Sequence, residues 1–280
     1  MSNTRHVSIG MPVFNGGATI ANALDSLLTQ TYTDFELLIS DNASTDQTGD
    51  VCRRYAQKDK RITYVRQKKN MGIGWNFSYV LKQSRGEYFM WASADDMWAP
   101  EFISENLKSF EHNDAIIGSM SKIRFLDGTE PPINSYPLMG NMADNIIRYL
   151  RAPYFQYCLH SLYKREILCR CYDDVNFYGH DWEIVIKTLA YGKYQVVDKI
   201  LFLKGCHGLS TRGISANLQL NATRFIDRIL PMAPLTLKIL KESVIPASVK
   251  WRCLPLLLFY NLKFSLSLAK ERIVIAWAAR

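Results

Sequence analysis

Over the first 120 residues, short runs of consecutive apolar side chains alternate with stretches whose apolar positions recur every three to four residues. The first pattern suits strands buried on both faces, and the second suits helices with one buried face. The rhythm therefore predicts an α/β chain around a mostly parallel sheet. Residues 7–11 read as a first strand, ended by Pro12 and the turn-forming Asn15-Gly16-Gly17. Ile20, Ala23, Leu24, Leu27 and Leu28 then follow at helical spacing. Residues 35–40 (FELLIS) form a second strand, and Asp46 is placed to cap the helix after it. Residues 61–66 are a third strand, and Asn70-Met71-Gly72 opens a helix running to about residue 84. Residues 87–93 are a fourth strand, and Pro100 suits the start of another helix.

From 113 to 207 the pattern is mixed. Short strands are expected at 115–120, 195–197 and 200–203, with a loop at 131–140. A helix over 181–191 places Trp182, Val185, Ile186, Leu189 and Ala190 on one face and stops at Gly192. Beyond Gly213 the chain reads as helical to its end. Within residues 251–280 the longest charge-free stretch, residues 253–262, is far short of the roughly twenty residues a spanning helix needs. Residues 251–280 read as a helix that lies on a membrane, packs on a partner or second copy, or simply closes the domain. Arg252, Lys263, Lys270, Arg272 and Arg280 favour the first.

Composition narrows the classes. At 48% hydrophobic and 21% charged, the chain is that of an ordinary folded protein and excludes extended disorder. The net charge of +8 favours an anionic partner: nucleic acid, anionic lipid or a phosphorylated small molecule. Neither zinc-finger spacing nor an aromatic RNA-binding motif is present, so nucleic acid is the weakest of the three. The six cysteines show no CxxC pair, which suits reduced thiols. Residues 1–6 enter the first strand without an apolar leader, so a cytoplasmic location is expected.

Candidate chemistry gathers after the strands. In open α/β sheets, ligands bind beyond the carboxyl ends of the strands. The segments after the first, second and fourth strands, at Pro12 to Asn15, Asp41 to Thr45 and Asp95-Asp96, converge on that edge. Two adjacent carboxylates repel unless a cation joins them, and a hard divalent ion removes that repulsion while accepting diphosphate oxygens. Taken alone, the same pair equally caps the following helix. Asp41 could accept the imide N–H of uracil or thymine, or simply hold a turn.

In register, these segments resemble the family 2 glycosyltransferases of the GT-A fold. Pro12-Val13-Phe14-Asn15 looks like the family's nucleotide loop, and Asp41-Asn42-Ala43-Ser44-Thr45-Asp46 like its base-binding segment. Asn70-Met71-Gly72 with Asn76 looks like its N-x-G-x-x-x-N helix start, and Arg85-Gly86-Glu87-Tyr88 leads to an acidic motif at Asp95-Asp96. Gly179-His180-Asp181-Trp182 resembles its acceptor-side acidic motif, and Cys206-His207-Gly208-Leu209-Ser210 its late histidine loop. The resemblance implies a GT-A catalytic domain over 1–212, with a nucleotide-binding half at 1–112 and an acceptor-side half at 113–212. A helical region, 213–280, follows. It implies transfer from a nucleoside diphosphate sugar, with UDP or dTDP favoured, to a glycan or lipid-linked glycan at the inner face of a membrane.

The roles implied are specific. Pro12, Phe14, Asn15, Asn70, Gly72 and Asn76 shape the nucleotide pocket, Asp41 holds the base, and Asp95 meets the ribose or the metal's water shell. Asp96 and His207 contact Mn²⁺ or Mg²⁺, and Asp181 is the general base. Two departures stand out: Ser93-Ala94-Asp95-Asp96 lacks a fuller aspartate run, and His180-Asp181-Trp182 lacks a second carboxylate beside the base. His180 is an alternative base. An inactive sugar- or nucleotide-binding protein on the same scaffold and a nucleotidyltransferase are the rival readings. For the latter, Asn15-Gly16-Gly17-Ala18 lacks the basic residue a phosphate loop needs.

Overall fold

In a computed structural model, residues 6–111, 113–153, 157–175, 177–205, 227 and 229–278 are described. The expected alternation forms β1 (Val7–Val13), α1 (Ile20–Leu28), β2 (Phe35–Asp41), α2 (Thr48–Lys58), β3 (Ile62–Arg66), α3 (Ile73–Gln83) and β4 (Tyr88–Trp91). Each strand is built as its apolar run predicts: every residue of β2 but Glu36 is buried. On α1, Ile20, Ala23, Leu24 and Leu27 are the buried face. β1 runs two residues past its expected end, because Pro12 sits in the ladder opposite Ser40.

The second half departs further from the pattern. After β5 (Met97–Trp98) come α4 (Phe102–Lys108), β6 (Ile116–Phe125), α5 (Met142–Arg151), a single 3₁₀ turn (Cys158–His160), β7 (Leu162–Lys164), α6 (Arg165–Cys171), α7 (His180–Thr188) and β8 (Lys193–Lys204). The two strands expected at 195–197 and 200–203 are one. Asp198 and Lys199 interrupt its apolar pattern, and its pairing with β6 shifts register nearby. β5 and β7, two and three residues long, are too short to show a period.

The eight strands form one sheet in the order β3-β2-β1-β4-β7-β6-β8-β5. β1 pairs parallel with β2 and β4, and β2 with β3, while β7 runs antiparallel between β4 and β6. Trp91, at the end of β4, packs against Phe89, Tyr163 and Tyr172 and welds the parallel half to the mixed half.

Two further helices, α8 (Ala233–Lys241) and α9 (Ala247–Ala278), lie against the mixed half. Their buried side chains join the same apolar cluster as the strands, through contacts such as Trp182 on Tyr260 at 5.0 Å and Tyr178 on Phe264 at 5.1 Å. Lys238 of α8 pairs with Asp173 at 2.7 Å and with Glu183 of α7 at 3.2 Å. Among the described residues, no helix is long and apolar enough to cross a membrane.

Candidate active site

The loops after β1 and β2 are sewn together by hydrogen bonds. Asn15 takes a left-handed backbone (φ 52°), which turns its N–H to Ser44 Oγ at 2.9 Å and its Oδ1 to the Thr45 N–H at 2.8 Å. Gly16 N–H donates to Thr48 Oγ1 and Gly17 N–H to Asp46 Oδ2, each at 2.9 Å. Asp46 Oδ1 also accepts the Thr48 N–H at 3.0 Å, satisfying a donor of the first turn of α2. This leaves Phe14 standing half exposed at the rim.

Asp41 is fully buried. Its Oδ1 accepts the Ser44 N–H at 2.8 Å, and its Oδ2 accepts Tyr64 Oη at 2.8 Å and Arg66 Nη1 at 2.9 Å. With both oxygens accepting the protein's own donors and the side chain buried, Asp41 fixes the loop in which a base is expected. Arg66 extends the clamp by donating to Ser44 O at 2.7 Å. The guanidinium lines a cavity of about 410 Å³ with Ser44, Thr45, Asp46, Gly49, Asp50 and Arg53. Sequence reasoning missed Tyr64 and Arg66. The signal was available, since Asp41 and Arg66 are register partners at the ends of adjacent parallel strands.

The third loop is tied to the same edge. Asn42 Nδ2 donates to Asn70 Oδ1 at 2.9 Å and Gly72 O at 3.2 Å, and its Oδ1 accepts the Met71 N–H. Gly72 has φ +89°, a conformation that disfavours any side chain. Asn76 Nδ2 donates to Ser40 O at 2.9 Å while its Oδ1 accepts from Ser40 Oγ at 2.6 Å. Asn70, Gly72 and Asn76 thus tie the start of α3 to the ends of β2 and its loop.

Beyond β4 the two carboxylates separate. Asp95 is half-buried, whereas Asp96 is fully buried, with Oδ1 accepting the Gly205 N–H at 2.8 Å and lying 3.8 Å from Lys204 Nζ. Its Oδ2 has no hydrogen-bond partner and faces the equally unpartnered Nδ1 of His160 at 3.8 Å. Burial pushes the Asp96 carboxyl up to about 6, helped by Asp95 and opposed by Lys204 and the Gly205 N–H. Burial, with Lys204 adding to it, holds His160 well below its usual range, so its ring is neutral. Gly205 is forced: an added Cβ would stand 2.2 Å from the Asp95 carbonyl oxygen.

Asp181 occupies the first turn of α7, after Gly179 in a left-handed conformation. Its side chain is exposed to water, yet desolvation by surrounding protein pushes its carboxyl up to about 6 against the Trp182 N–H. α7 packs on the 158–160 turn, which also packs on β4 and carries His160 to Asp96. Asp181 therefore lies on an element that shares a neighbour with the acidic pair. His180 points inward against Tyr172 and Phe177, its pKa lowered by burial to about 4. Glu183 is buried beside Lys238. His207 falls outside the described residues.

Whether a divalent ion fits turns on the acidic pair. The orphaned Asp96 Oδ2 and the half-buried Asp95 supply hard oxygen ligands of the kind Mg²⁺ and Mn²⁺ take. Among the described residues, no three His, Cys, Asp or Glu side chains gather into a metal cage. Among the described residues, the donor set fits an ion shared between one or two carboxylates and a diphosphate.

Comparison with known proteins agrees with this layout. The model of the family described as "Glycosyl transferase family 2" matches residues 8–170. An uncharacterized glycosyltransferase of Rickettsia typhi is 36% identical over 114 residues, which is 40% of this chain and 35% of the relative. The match thus spans about a third of that relative's length. Staphylococcus aureus TarS (residues 1–349), solved with UDP-GlcNAc, superposes with a TM-score of 0.72 at 18% identity, covering 92% of this chain and 73% of its own. A mannosyltransferase of Pyrobaculum calidifontis, solved with GDP-Man and Mn²⁺, gives 0.63 at 19% identity, covering 97% and 75%. The curled, mostly parallel sheet flanked by helices is that of these GT-A structures.

Proposed function

The chain belongs to glycosyl transferase family 2, and from that membership we propose that it moves one sugar from a nucleoside diphosphate sugar to a hydroxyl of a glycan or lipid-linked glycan, with inversion. One observation carries this reading: the 158–160 turn packs on α7, which bears Asp181, and on β4, and its His160 faces Asp96 at 3.8 Å. Asp181 takes the proton from the acceptor hydroxyl as that oxygen attacks the anomeric carbon. The bond from that carbon to the diphosphate breaks, and its electron pair leaves with the nucleoside diphosphate. A base of pKa near 6 is well matched to work at neutral pH. No protein nucleophile is required.

Asp95 and Asp96 would hold a divalent ion, which would supply neutralising charge to the leaving diphosphate. Lys204, whose Nζ lies beside Asp96, adds a fixed positive charge to that corner. The nucleotide lies among Pro12, Phe14 and Asn15 on one side and Asn70, Gly72 and Asn76 on the other. Asp41 acts through the loop it holds. A uridine or thymidine nucleotide is the proposed donor; TarS with UDP-GlcNAc supports a nucleotide sugar, and the Pyrobaculum enzyme with GDP-Man and Mn²⁺ supports the ion. A lipid-linked acceptor would bring the enzyme to the inner face of a membrane.

The test is nucleoside diphosphate release from a panel of UDP-, dTDP- and GDP-sugars with Mn²⁺. We expect release with one nucleotide class and its loss on chelation. Silence across the panel, or undiminished transfer by Asp181→Asn, would overturn the reading.

A further inference from the structure

The long helix α9 has two apolar faces, and the fold uses one. Val249, Cys253, Leu257, Tyr260, Phe264 and Leu268 are buried, turned toward α5 and α8 and reaching Trp182. On the other side, Trp251, Leu258, Phe259, Leu262 and Leu266 are between 55% and 70% exposed. With 3.6 residues per turn, those five fall in a band roughly 100° wide. Arg252, Lys263 and Lys270, spaced by eleven and seven residues, fall within about 20° of one another along one edge of that band. Residues 247–278 hold five Lys or Arg and one acidic residue, Glu271.

A continuous apolar stripe of this kind signals an occupant. Its chemistry selects which. Two copies joined by this face would bring cationic rows together with no carboxylate on the stripe to meet them. A bilayer with anionic headgroups satisfies both features at once, since the stripe enters the acyl boundary while the basic row meets phosphates. No described helix can span a membrane, so α9 would lie in the plane of the interface. We propose that the exposed face of α9 seats the protein on an anionic lipid surface. Arg252 also reaches Asp144 at 3.3 Å, but both side chains are more than half exposed, and such a pair holds little. Lys263 rests over the Tyr260 ring at 5.9 Å.

The surface stands apart from the transfer reaction: vesicle binding is read without any sugar donor, so either reading can fail alone. The experiment is co-sedimentation of the full chain with phosphatidylcholine vesicles and with vesicles one-third phosphatidylglycerol. Binding is expected to the anionic vesicles, weakening as salt rises. Leu258→Glu with Leu262→Glu should abolish it, and the triple change Arg252→Gln, Lys263→Gln, Lys270→Gln should weaken it roughly a hundredfold. All five positions are exposed, so thermal melting should not move. Absence of binding, equal binding to neutral vesicles, or a dimer in sedimentation velocity that the two glutamates dissolve would each overturn the proposal.

Discussion

Desolvation pushes the Asp96 and Asp181 carboxyls up to about 6 in two different settings. Asp96 is sealed from solvent, and its desolvation outweighs the Gly205 N–H and Lys204. Asp181 meets water but is crowded by protein. As the proposed base, Asp181 must be ionised to accept a proton, so kcat/KM is expected to rise as pH climbs through about 6 and then level off. Asp181→Asn should lower kcat by roughly 10²–10⁴-fold and flatten that profile, leaving thermal melting unchanged. For Asp96 the folded state holds its proton more tightly than the unfolded chain. Its burial therefore costs nothing below the ordinary carboxylate pKa of 3.8, and stability is lost as pH rises toward about 6. Asp96→Asn keeps the acceptor for Gly205 and removes the charge, so at pH 7.5 it should stabilise the fold by about 2 kcal/mol. The same variant should bind Mn²⁺ less tightly in the presence of UDP, and calorimetry reads both effects.

At the scale of elements, the site is held by strand ends pinned to one another. Asp41 and Arg66 end adjacent strands, and Tyr64 sits one turn of the pleat earlier. Removing the buried acceptor strands the Tyr64 hydroxyl and the Ser44 N–H. Asp41→Ala should therefore cost roughly 3 kcal/mol of folding stability, read by urea denaturation. A residue that touched only the nucleotide would lower affinity with no such loss. Gly205 ends the β8 side of the cleft in the same way, its N–H on Asp96 and its Cα hard against Asp95. Gly205→Ala is expected to displace Asp95 and raise KM for the donor more than it lowers kcat.

Across the whole molecule, one sheet edge gathers loops from residues 12 to 205, but its own ligands for a cation are few. Mn²⁺ should bind weakly to the protein alone and much more tightly with UDP present, and by linkage UDP should bind more tightly with Mn²⁺. Isothermal titration in both orders checks this; equal affinities would show an ion site complete without the diphosphate. The alternation of strands and helices through residue 91, the apolar face of α1 and the acidic pair after β4 were legible in the sequence, because period and turn chemistry are local. By contrast, α7 ends at Thr188, short of the expected Tyr191, and is buried on nearly every side rather than one. β5, β7 and the 158–160 turn were not legible, since two or three residues carry no period and form only when neighbouring strands supply their partners. Tertiary structure alone decided how each carboxylate is surrounded. Asp41 became a clamp because Arg66 and Tyr64 arrived from the next strand, and Asp96 was sealed in because Lys204, Gly205 and His160 came from more than sixty residues away. Asp181, on a helix end left open to water, kept the freedom to take a proton: a side chain's charge is written in the chain, but its solvation and its partners are set by what the fold brings beside it.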